Sequence, residues 1–358
     1  MARIVQKFGG TSVADIDRIK HVAQKVKTCV EAGNQVAVVV SAMAGSTNQL
    51  VEWAKQIDPM HDAREYDTVV STGEQITVGL LAIALQTIGV DARSWLGWQI
   101  PLLTDDVHSA ARIEDIKADQ IIDRLEQGQV AVIAGFQGIA PDGRISTLGR
   151  GGSDTSAVAL AAAIKADRCD IYTDVEGVYT TDPRIMPKAR KLDSITFEEM
   201  LEMASAGAKV LQTRSVAMAM RHHVKLQVLS SFTDTPGTLV QNEEKQMEKQ
   251  KVSGIAYSAE EAKVTVVGLP DKPGIAAKIF SALAETHINV DMIVQSASPD
   301  SQKTDITFSL ARSELEKAVT ALTRLKTELA FVALVHDDNI AKISVIGTAM
   351  RTQSGIAK

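Results

Sequence analysis

The sequence predicts an α/β protein in which a mostly parallel sheet is covered by helices on both faces, as a three-layer αβα sandwich. Two observations predict this sandwich: nearly continuous apolar runs such as 36–40 and 130–134, and the helical stretches that separate them. After residue 262 the pattern changes to a small unit of βαββαβ order, which is ferredoxin-like. The active site is expected at the carboxyl ends of the parallel strands.

Composition restricts the partners that this chain can have. The 358 residues carry a formal net charge of -6 and are 45% hydrophobic, which suits two or three globular domains and gives no basic field for nucleic acid. No apolar run is expected to reach membrane-spanning length, and the N-terminus has no apolar signal segment. Cys29 and Cys169 lie in apolar contexts, which predicts reduced core residues, no metal site and a cytoplasmic location.

The first predicted element is a strand at 3–6, followed by the turn Lys7-Phe8-Gly9-Gly10-Thr11-Ser12 and then a helix. Five aliphatic residues at helical spacing predict the helix: Ile16, Ile19, Val22, Val26 and Val30. A strand, a glycine turn with a lysine and a helix start form a geometry that holds phosphate. The chain has neither the Walker sequence nor a dinucleotide-binding glycine turn after its first strand. A nucleotide site must therefore belong to another α/β fold.

Further strands and helices alternate along the next part of the chain. Strands are predicted at 36–40, 130–134, 170–173 and 224–229, and helices at 74–88, 156–166 and 198–211. The sheet is expected to finish after residue 229, because Thr235-Pro236-Gly237 is a turn signal. Residues 241–251 are rich in Glu, Gln and Lys, which predicts a solvated linker or a short exposed helix.

A second glycine loop precedes the helix at 156–166, with the sequence Thr147-Leu148-Gly149-Arg150-Gly151-Gly152-Ser153-Asp154-Thr155-Ser156. It brings backbone N–H groups, the positive end of a helix dipole and two charged side chains to one point, which predicts an anion site. Either glycine loop alone could be an ordinary tight turn. Two such loops, each beside a charged residue and a helix start, favour phosphate chemistry.

The C-terminal part is predicted to contain strands at 263–269, 288–296, 304–310 and 331–335, with helices at 274–285 and 314–325. A repeat then begins, since residues 342–347 echo 263–268 and residues 355–358 echo 274–278. The second copy is expected to stop where its first helix should start.

Four long motifs in sequence order are similar to those of one family. They are the lysine turn at 7–12, Ser71-Thr72-Gly73-Glu74, the glycine loop at 149–154, and Thr173-Asp174-Val175-Glu176-Gly177-Val178-Tyr179-Thr180-Thr181-Asp182-Pro183-Arg184. The chain resembles the aspartokinases, which join a catalytic domain of the amino-acid-kinase fold to ACT regulatory domains. The resemblance implies a catalytic domain at 1–245, an ACT domain at 262–337 and a partial second ACT domain at 338–358.

The resemblance implies transfer of the γ-phosphoryl group of ATP, bound with Mg²⁺, to the side-chain carboxylate of L-aspartate. This reaction is the first step towards lysine, threonine and methionine, and it implies threonine or lysine as effectors and a homodimer or higher oligomer through the ACT domains. Lys7 would neutralise the transferring group, and Asp154 would organise the amino acid or the lysine. A carboxylate nucleophile is ionised at pH 7, so the reaction needs alignment and charge neutralisation rather than a general base.

The resemblance also assigns three groups of binding residues. The aspartate group is Ser41, Thr47, Glu74, Phe136, Arg150, Ser153 and Asp154. The ATP group is Lys7, Phe8, Gly9, Gly10, Ser12, Thr173, Asp174, Tyr179, Asp182 and Arg184, with Lys209 and Val210 from the following helix. The effector group is Asp271, Gly274, Ile275, Asn289 and Gln295. From local signals alone, Glu74 could instead cap its helix, and Asp182 with Pro183 could form a simple turn.

Three other functions remain open at this point. A related kinase acting on glutamate, acetylglutamate or a nucleoside monophosphate would share the fold but not the combination of the lysine turn with an ACT tail. A non-enzymatic amino-acid sensor conflicts with the presence of every charged motif residue. A dehydrogenase lacks its dinucleotide fingerprint.

Overall fold

The structure is a computed structural model that describes residues 1–242, 252–297 and 303–347. It divides into two compact units, one of Met1–Ile255 together with residues from 346 onward, and one of Ala256–Val345. Of the predicted linker at 241–251, residues 243–251 lie outside the described residues, as does the predicted repeat at 355–358.

The first unit contains most of the secondary structure. Its strands β1 to β12 are Arg3–Phe8, Gln35–Val40, Ala92–Trp95, Leu102–Thr104, Ile113–Ile116, Val130–Ala134, Gln137–Ile139, Ile145–Thr147, Arg168–Thr173, Ser194–Thr196, Leu226–Ser230 and Thr238–Gln241. Its helices α1 to α8 are Ile16–Glu31, Ser46–Ile57, Ala63–Val70, Thr72–Thr87, Asp119–Glu126, Gly152–Ala163, Phe197–Ser205 and Thr213–His222. A short 3-10 turn, Gly10–Val13, joins β1 to α1.

Eight strands form the main sheet, in the order β10-β12-β11-β9-β1-β2-β6-β3. Neighbouring strands are parallel except for β11 and β12. The central strands are almost entirely buried and apolar, as β2 and β6 are, because helices cover both faces. The mostly parallel sheet is confirmed, and a smaller sheet of order β5-β4-β7-β8 lies beside it in the same unit.

The three layers follow from the alternation of side chains along β2. Val38 and Val40 belong to an apolar core shared with α1 and α4. Val39 points to the opposite face, where a Cβ at Gly135 would lie 3.0 Å from Val39 Cγ1 and 2.9 Å from Ser153 Cβ. Ser153 belongs to α6, which packs against β1, β2 and β9. The buried helix α6 therefore has its amino end fixed beside the carboxyl ends of the central strands.

One apolar stretch is longer than the sequence analysis expected. By length and composition alone, the helical stretch Ala63–Thr87, formed by α3 and α4 in succession, could cross a membrane, because its most apolar 18-residue window has a mean hydropathy of 1.4. The expectation that no run reaches this length was wrong. Because Val78, Leu81 and Leu85 belong to the core of the first unit, we interpret α4 as a core helix.

The second unit has the predicted βαββαβ order. Its strands β13 to β16 are Gly254–Pro270, Val290–Ala297, Lys303–Ala311 and Ala333–Ile346, and its helices α9 to α11 are Ile275–Glu285, Leu315–Arg324 and Lys326–Leu329. The strands are ordered β14-β15-β13-β16, as in a ferredoxin-like sheet. Val264 and Phe308 on the sheet pack with Ile279 and Leu322 on the helices.

Three predicted elements differ from the structure. The sheet does not end after residue 229, because β12 pairs with β11 in the antiparallel direction. The turn between these strands passes very close to β11 at Gly237, where a Cβ atom would lie 1.9 Å from Val228 O, so only glycine fits. The helix predicted at 198–211 ends at Ser205, and Gly207 follows with φ +114, so Lys209 and Val210 lie in a turn. The strands predicted at 331–335 and 342–347 are one strand, β16, whose exposed polar middle resembled a break.

Candidate active site

A cleft of about 420 Å³ lies at the carboxyl ends of β1 and β2, beside the amino end of α6. Hydrogen bonds from Ser41 N to Phe8 O (3.1 Å) and from Gly135 N to Val40 O (3.0 Å) gather the loops that follow these strands. The lining residues are Lys7, Gly10, Ser41, Ala42, Met43, Ala44, Gly45, Thr47, Asn48, Glu74, Phe136, Gly149, Arg150, Gly151, Gly152, Ser153, Asp154 and Gln212. This is the edge of the sheet at which an active site is expected.

Lys7 and Asp154 form a buried ion pair in this cleft. Lys7 Nζ lies 2.6 Å from Asp154 Oδ1, and each side chain is only 11% exposed. Lys7 is near the end of β1 and Asp154 is in the first turn of α6, so the packing of α6 on β1 fixes the pair. An ammonium group held in so dry a place attracts a further anion more strongly than an exposed lysine does.

The glycine loop supplies the second positive feature of the cleft. Gly149 and Gly151 both have φ +74, a conformation that residues with a Cβ rarely adopt. Gly152 then begins α6, and the first three residues of this helix, Gly152, Ser153 and Asp154, line the cleft, where N–H groups at a helix start have no partner within the helix. Arg150 lies exposed between the two glycines on the cleft wall. An anion can therefore meet a lysine, an arginine and a helix amino end together.

Glu74 contributes a negative group to the same cleft. Its Oε1 accepts a hydrogen bond from Ala42 N at 2.9 Å, which joins the start of α4 to the loop after β2. Its Oε2 is buried and has no hydrogen-bond partner among the residues that the structure describes. Burial raises the pKa of Glu74 to about 7. Since an unpaired buried acceptor costs roughly 1–3 kcal/mol, this oxygen is suited to receive a ligand's N–H donor.

Phe136 is held on the cleft wall in a strained backbone conformation, with φ +69. Its N–H donates to Ser156 Oγ at 3.1 Å, and its carbonyl accepts from Leu148 N at 2.9 Å. A Cβ on Gly152 would lie 2.9 Å from the Phe136 ring, so the loop and the ring touch. The strain is therefore maintained by bonds to α6 and to the glycine loop.

Every residue of the predicted aspartate group lines this cleft, with Lys7 and Gly10 of the ATP group. The side chains of two other members of the ATP group, Phe8 and Ser12, contact residues within the protein. Phe8 is fully buried and stacks on Tyr172 with ring centroids 4.5 Å apart. Ser12 is also buried, and its Oγ lies 2.5 Å from Ser231 Oγ. The Phe8 ring is therefore used in packing, and the Ser12 hydroxyl already makes one hydrogen bond within the protein.

Of the remaining ATP group, Gly9 follows β1, Thr173 is the last residue of β9, and the other residues lie on the loops after β9 and α7. The hydrogen bond from Gly9 N to Tyr172 O, at 3.4 Å, joins the end of β9 to the lysine turn. Asp182 pairs with Arg184 at 2.8 Å, and the guanidinium holds the pKa of that carboxyl below its usual range. Asp182 also accepts from Arg184 N at 2.9 Å, so the simple turn is present. None of these loop residues lines the cleft described above.

The predicted effector residues lie in the second unit. Gly274, with φ +91, precedes α9, and Ile275 begins that helix. Asp271 and Asn289 are exposed, and so is Gln295 on the edge strand β14. A single ACT unit thus leaves these polar side chains in solvent, and their effector role remains a prediction.

Six lining residues were not predicted from the sequence: Ala42, Met43, Ala44, Gly45, Asn48 and Gln212. Met43 could have been predicted from the fold class. It lies in the loop after β2, and because β2 is parallel to β1, this loop is at the same sheet edge as the end of β1. Gln212 carries no such signal. It reaches the cleft only because α6 packs against α8, and a Cβ on Gly151 would lie 2.1 Å from Gln212 Cγ.

Comparison with known proteins shows the family to which this chain belongs. Residues 2–230 match the model of the amino acid kinase family, and residues 264–325 match an ACT domain model. The chain belongs to the amino acid kinase family. Within that family it is 53% identical over 358 residues to an aspartate kinase of Pseudomonas putida. The aligned region covers 100% of this chain and 87% of the relative. The predicted resemblance to the aspartokinases is confirmed.

Solved structures of this family support the fold in both units. E. coli aspartokinase III in complex with aspartate and ADP has 29% identity and a TM-score of 0.82, over 99% of this chain and 89% of that one. The same enzyme in complex with lysine and aspartate gives 29% identity and a TM-score of 0.77, over 96% and 87%. The amino acid kinase fold with an ACT domain is thus confirmed, and the dehydrogenase alternative is set aside.

Proposed function

We propose that this chain transfers the γ-phosphoryl group of ATP to the side-chain carboxylate of L-aspartate, which gives 4-phospho-L-aspartate and ADP. The observation that carries the proposal is the combination in one cleft of the buried Lys7–Asp154 pair with the unpaired oxygen of Glu74. An α-amino acid with an acidic side chain presents one ammonium group and two carboxylates. The cleft offers charges of the opposite sign to both kinds of group.

Glu74 is the proposed partner of the α-ammonium group. A buried carboxylate oxygen with no other donor forms a charge-assisted hydrogen bond with an ammonium group, and binding of that cation favours the ionised form of Glu74. Arg150 is the proposed partner of a substrate carboxylate, because its guanidinium can donate two parallel hydrogen bonds. Ser41, Thr47 and Ser153 offer hydroxyl groups at the cleft wall, and the Phe136 ring limits its width.

The proposed chemistry places an ionised carboxylate oxygen against the γ-phosphorus. That oxygen forms the new P–O bond, the bond to the β-phosphate oxygen breaks, and ADP leaves with the electron pair. No proton has to be removed, since the nucleophile is already ionised at neutral pH. Lys7 neutralises the charge on the transferring group, Asp154 fixes the direction of the Lys7 side chain, and the amino end of α6 faces the same charge.

We propose that Mg²⁺ enters with the ATP phosphates and neutralises part of their charge. The base, the ribose and the remaining phosphates are assigned to the loops after β9 and α7: Thr173, Asp174, Tyr179, Asp182, Arg184, Lys209 and Val210. The support is positional, because β9 is hydrogen-bonded to β1 and its end meets the lysine turn.

We also propose regulation by threonine or lysine through pairing of ACT units, in a cytoplasmic homodimer or higher oligomer. The edge strand β14 supports pairing, since Met292, Ile293 and Val294 are 56%, 49% and 46% exposed there. Two free cysteines, Cys29 and Cys169, are compatible with a reducing compartment. Inhibition curves with each amino acid and sedimentation of the chain test these points, and a monomer would contradict the pairing.

The reaction itself is tested by trapping the acyl phosphate with hydroxylamine while ADP release is followed. Aspartate, glutamate, N-acetylglutamate and a nucleoside monophosphate are supplied in turn with MgATP. We expect a hydroxamate and stoichiometric ADP with aspartate alone. ADP release with another acceptor at an equal or higher rate would assign a different substrate, and no turnover with any acceptor would contradict the proposal.

A further inference from the structure

The glycine loop has to be placed accurately, yet its own sequence is flexible. Arg150 lies between Gly149 and Gly151, and glycine loses more backbone freedom on ordering than any other residue. Within the loop, a 3.0 Å bond from Gly152 N to Gly149 O closes a turn, and Gly151 O accepts from Thr155 N of α6 at 3.2 Å, but neither bond involves Arg150. The position of Arg150 must therefore be set by what holds the two ends of the loop.

At the first end, the buried carboxylate of Asp67 receives donors from two chain segments. Asp67 on α3 is 0% exposed. Its Oδ1 accepts from Thr147 Oγ1 at 2.6 Å, and its Oδ2 accepts from Thr147 N at 3.0 Å. His108 Nδ1, at 2.7 Å, and Ser109 N, at 3.1 Å, donate to the same carboxylate. Thr147 is the last residue of β8, directly before the loop.

Leu148, the residue after Thr147, is held by a different side chain, that of Arg214 on α8. Arg214 Nη1 donates to Leu148 O at 2.9 Å, and Nη2 donates to Ala111 O at 2.7 Å. Ala111 N in turn donates to Thr147 O at 2.9 Å. One carboxylate and one guanidinium thus hold two consecutive residues, Thr147 and Leu148, against the same 108–111 segment.

We propose that Asp67 and Arg214 are positioning residues that hold the glycine loop ready for aspartate, and so determine how tightly Arg150 and Ser153 bind it. Neither residue lines the cleft, so each acts through the loop. A loop that is already ordered loses less conformational entropy when the substrate binds. This inference rests on the proposed function where it is tested by KM values for aspartate. Its test by amide hydrogen exchange of the loop does not depend on the proposed function.

The kinetic test replaces Asp67 by asparagine, which keeps the size of the side chain but cannot accept all of these donors. The matched control is Asp170→Asn, because Asp170 is also buried (2% exposed) yet pairs with Arg168 on β9, away from the loop. We expect Asp67→Asn to raise the KM for aspartate about tenfold, as the loss of one or two buried hydrogen bonds implies, and to change the KM for ATP less than about twofold. Asp170→Asn should lower the melting temperature but leave both KM values nearly unchanged.

A second pair of variants covers the case in which Asp67→Asn does not fold. Arg214→Ala should raise the KM for aspartate, and Arg214→Lys should restore part of it, since a lysine can still reach one of the two carbonyl groups. The overturning result is an Arg214→Ala variant with an unchanged KM for aspartate, or equal rises in both KM values for Asp67→Asn.

Amide hydrogen exchange of the substrate-free protein separates this inference from the proposed function. Residues 149–152 should exchange at least several-fold faster in Asp67→Asn, or in Arg214→Ala, than in Asp170→Asn. If wild-type protein has no activity with aspartate but exchange in the loop still rises, the proposed function fails and the positioning role stands. If exchange in the loop is the same in all variants, the positioning role fails.

Discussion

The charged groups of the cleft are mostly buried, with Arg150 as the exposed exception, whereas the charged groups assigned to the nucleotide on residues 173–184 and 209–210 are mostly exposed. We call these the substrate half, which is the cleft around Lys7, Glu74 and Asp154, and the nucleotide half, which is the loops at 173–184 and 209–210. Lys7 and Asp154 are each 11% exposed at 2.6 Å from one another. Asp182 and Arg184 also pair closely, at 2.8 Å, but the Arg184 side chain is 80% exposed.

The difference in burial shows that charged side chains of the substrate half are held in place before a ligand binds, whereas those of the nucleotide half are mostly in solvent. Charges held in a dry cleft act strongly on a ligand and need no rearrangement during the reaction. Exposed charges are screened by water and salt, and surface ion pairs contribute only about 0–1 kcal/mol. Substitutions in the substrate half should therefore have large effects on catalysis, and those in the nucleotide half smaller effects on ATP binding.

The largest effect is expected for Lys7→Ala. Because this variant removes the ammonium group that faces the transferring phosphoryl group, we expect kcat to fall by about 100-fold to 1,000-fold. The control is Lys20→Ala, whose side chain is 68% exposed on α1, and it should keep wild-type kcat. Circular dichroism should show a folded Lys7→Ala protein. A variant that keeps more than about a tenth of wild-type kcat would rule out the neutralising role, because a donor of this kind contributes well over 1.4 kcal/mol.

A smaller effect is expected for Glu74→Gln, which keeps the shape of the side chain and removes its charge. We expect the KM for aspartate to rise about tenfold or more, since a hydrogen bond to a charged group contributes roughly 1.5–3 kcal/mol. The KM for ATP should be unchanged. The control is Glu31→Gln, which alters an acid that is 64% exposed. A rise in the KM for ATP without a rise for aspartate would place Glu74 in the nucleotide half.

The smallest effect concerns stability and pH. Burial raises the pKa of Glu74 to about 7 in the folded chain, from 4.5, so between these values the folded chain holds a proton that the unfolded chain has lost. The contribution of Glu74 to the free energy of unfolding therefore falls as pH rises from about 4.5 to about 7. In the absence of substrates, Glu74→Gln should raise the melting temperature at pH 8 more than at pH 5. An equal change in melting temperature at both pH values would show that burial does not disfavour the ionised form of Glu74.

The substrate half could be predicted from the sequence because its residues belong to a few continuous motifs. Lys7 was predicted in a glycine turn after a strand and lies near the end of that strand, and Arg150 to Asp154 span a glycine loop and the start of the helix that follows it. In a parallel sheet both kinds of loop meet at one edge, so their proximity follows from the fold class. All seven aspartate-binding residues implied by the family resemblance line one cleft, although Ser41, Thr47 and Phe136 belong to none of the quoted motifs and follow from the resemblance alone.

The supporting residues could not be predicted in the same way. Asp67 and Arg214 are separated by 147 positions from one another along the chain, and neither is part of a recognisable motif. The bonds of Asp67 to Thr147 and of Arg214 to Leu148 depend on how α3 and α8 pack around the loop, which is a tertiary property. The turn that contains Lys209 was predicted as helix for a related reason, since an apolar pattern does not show where Gly207 ends it.

The most direct test of the central claim, that the two halves bind different substrates, is steady-state kinetics of Arg150→Ala and Asp182→Ala with each substrate varied in turn. Arg150→Ala should raise the KM for aspartate about tenfold or more and leave the KM for ATP within about twofold, because it removes a charged hydrogen-bond donor from the substrate half alone. Asp182→Ala should do the reverse, with a smaller rise for ATP. If each variant raises both KM values equally, the division of the site into a substrate half and a nucleotide half is wrong.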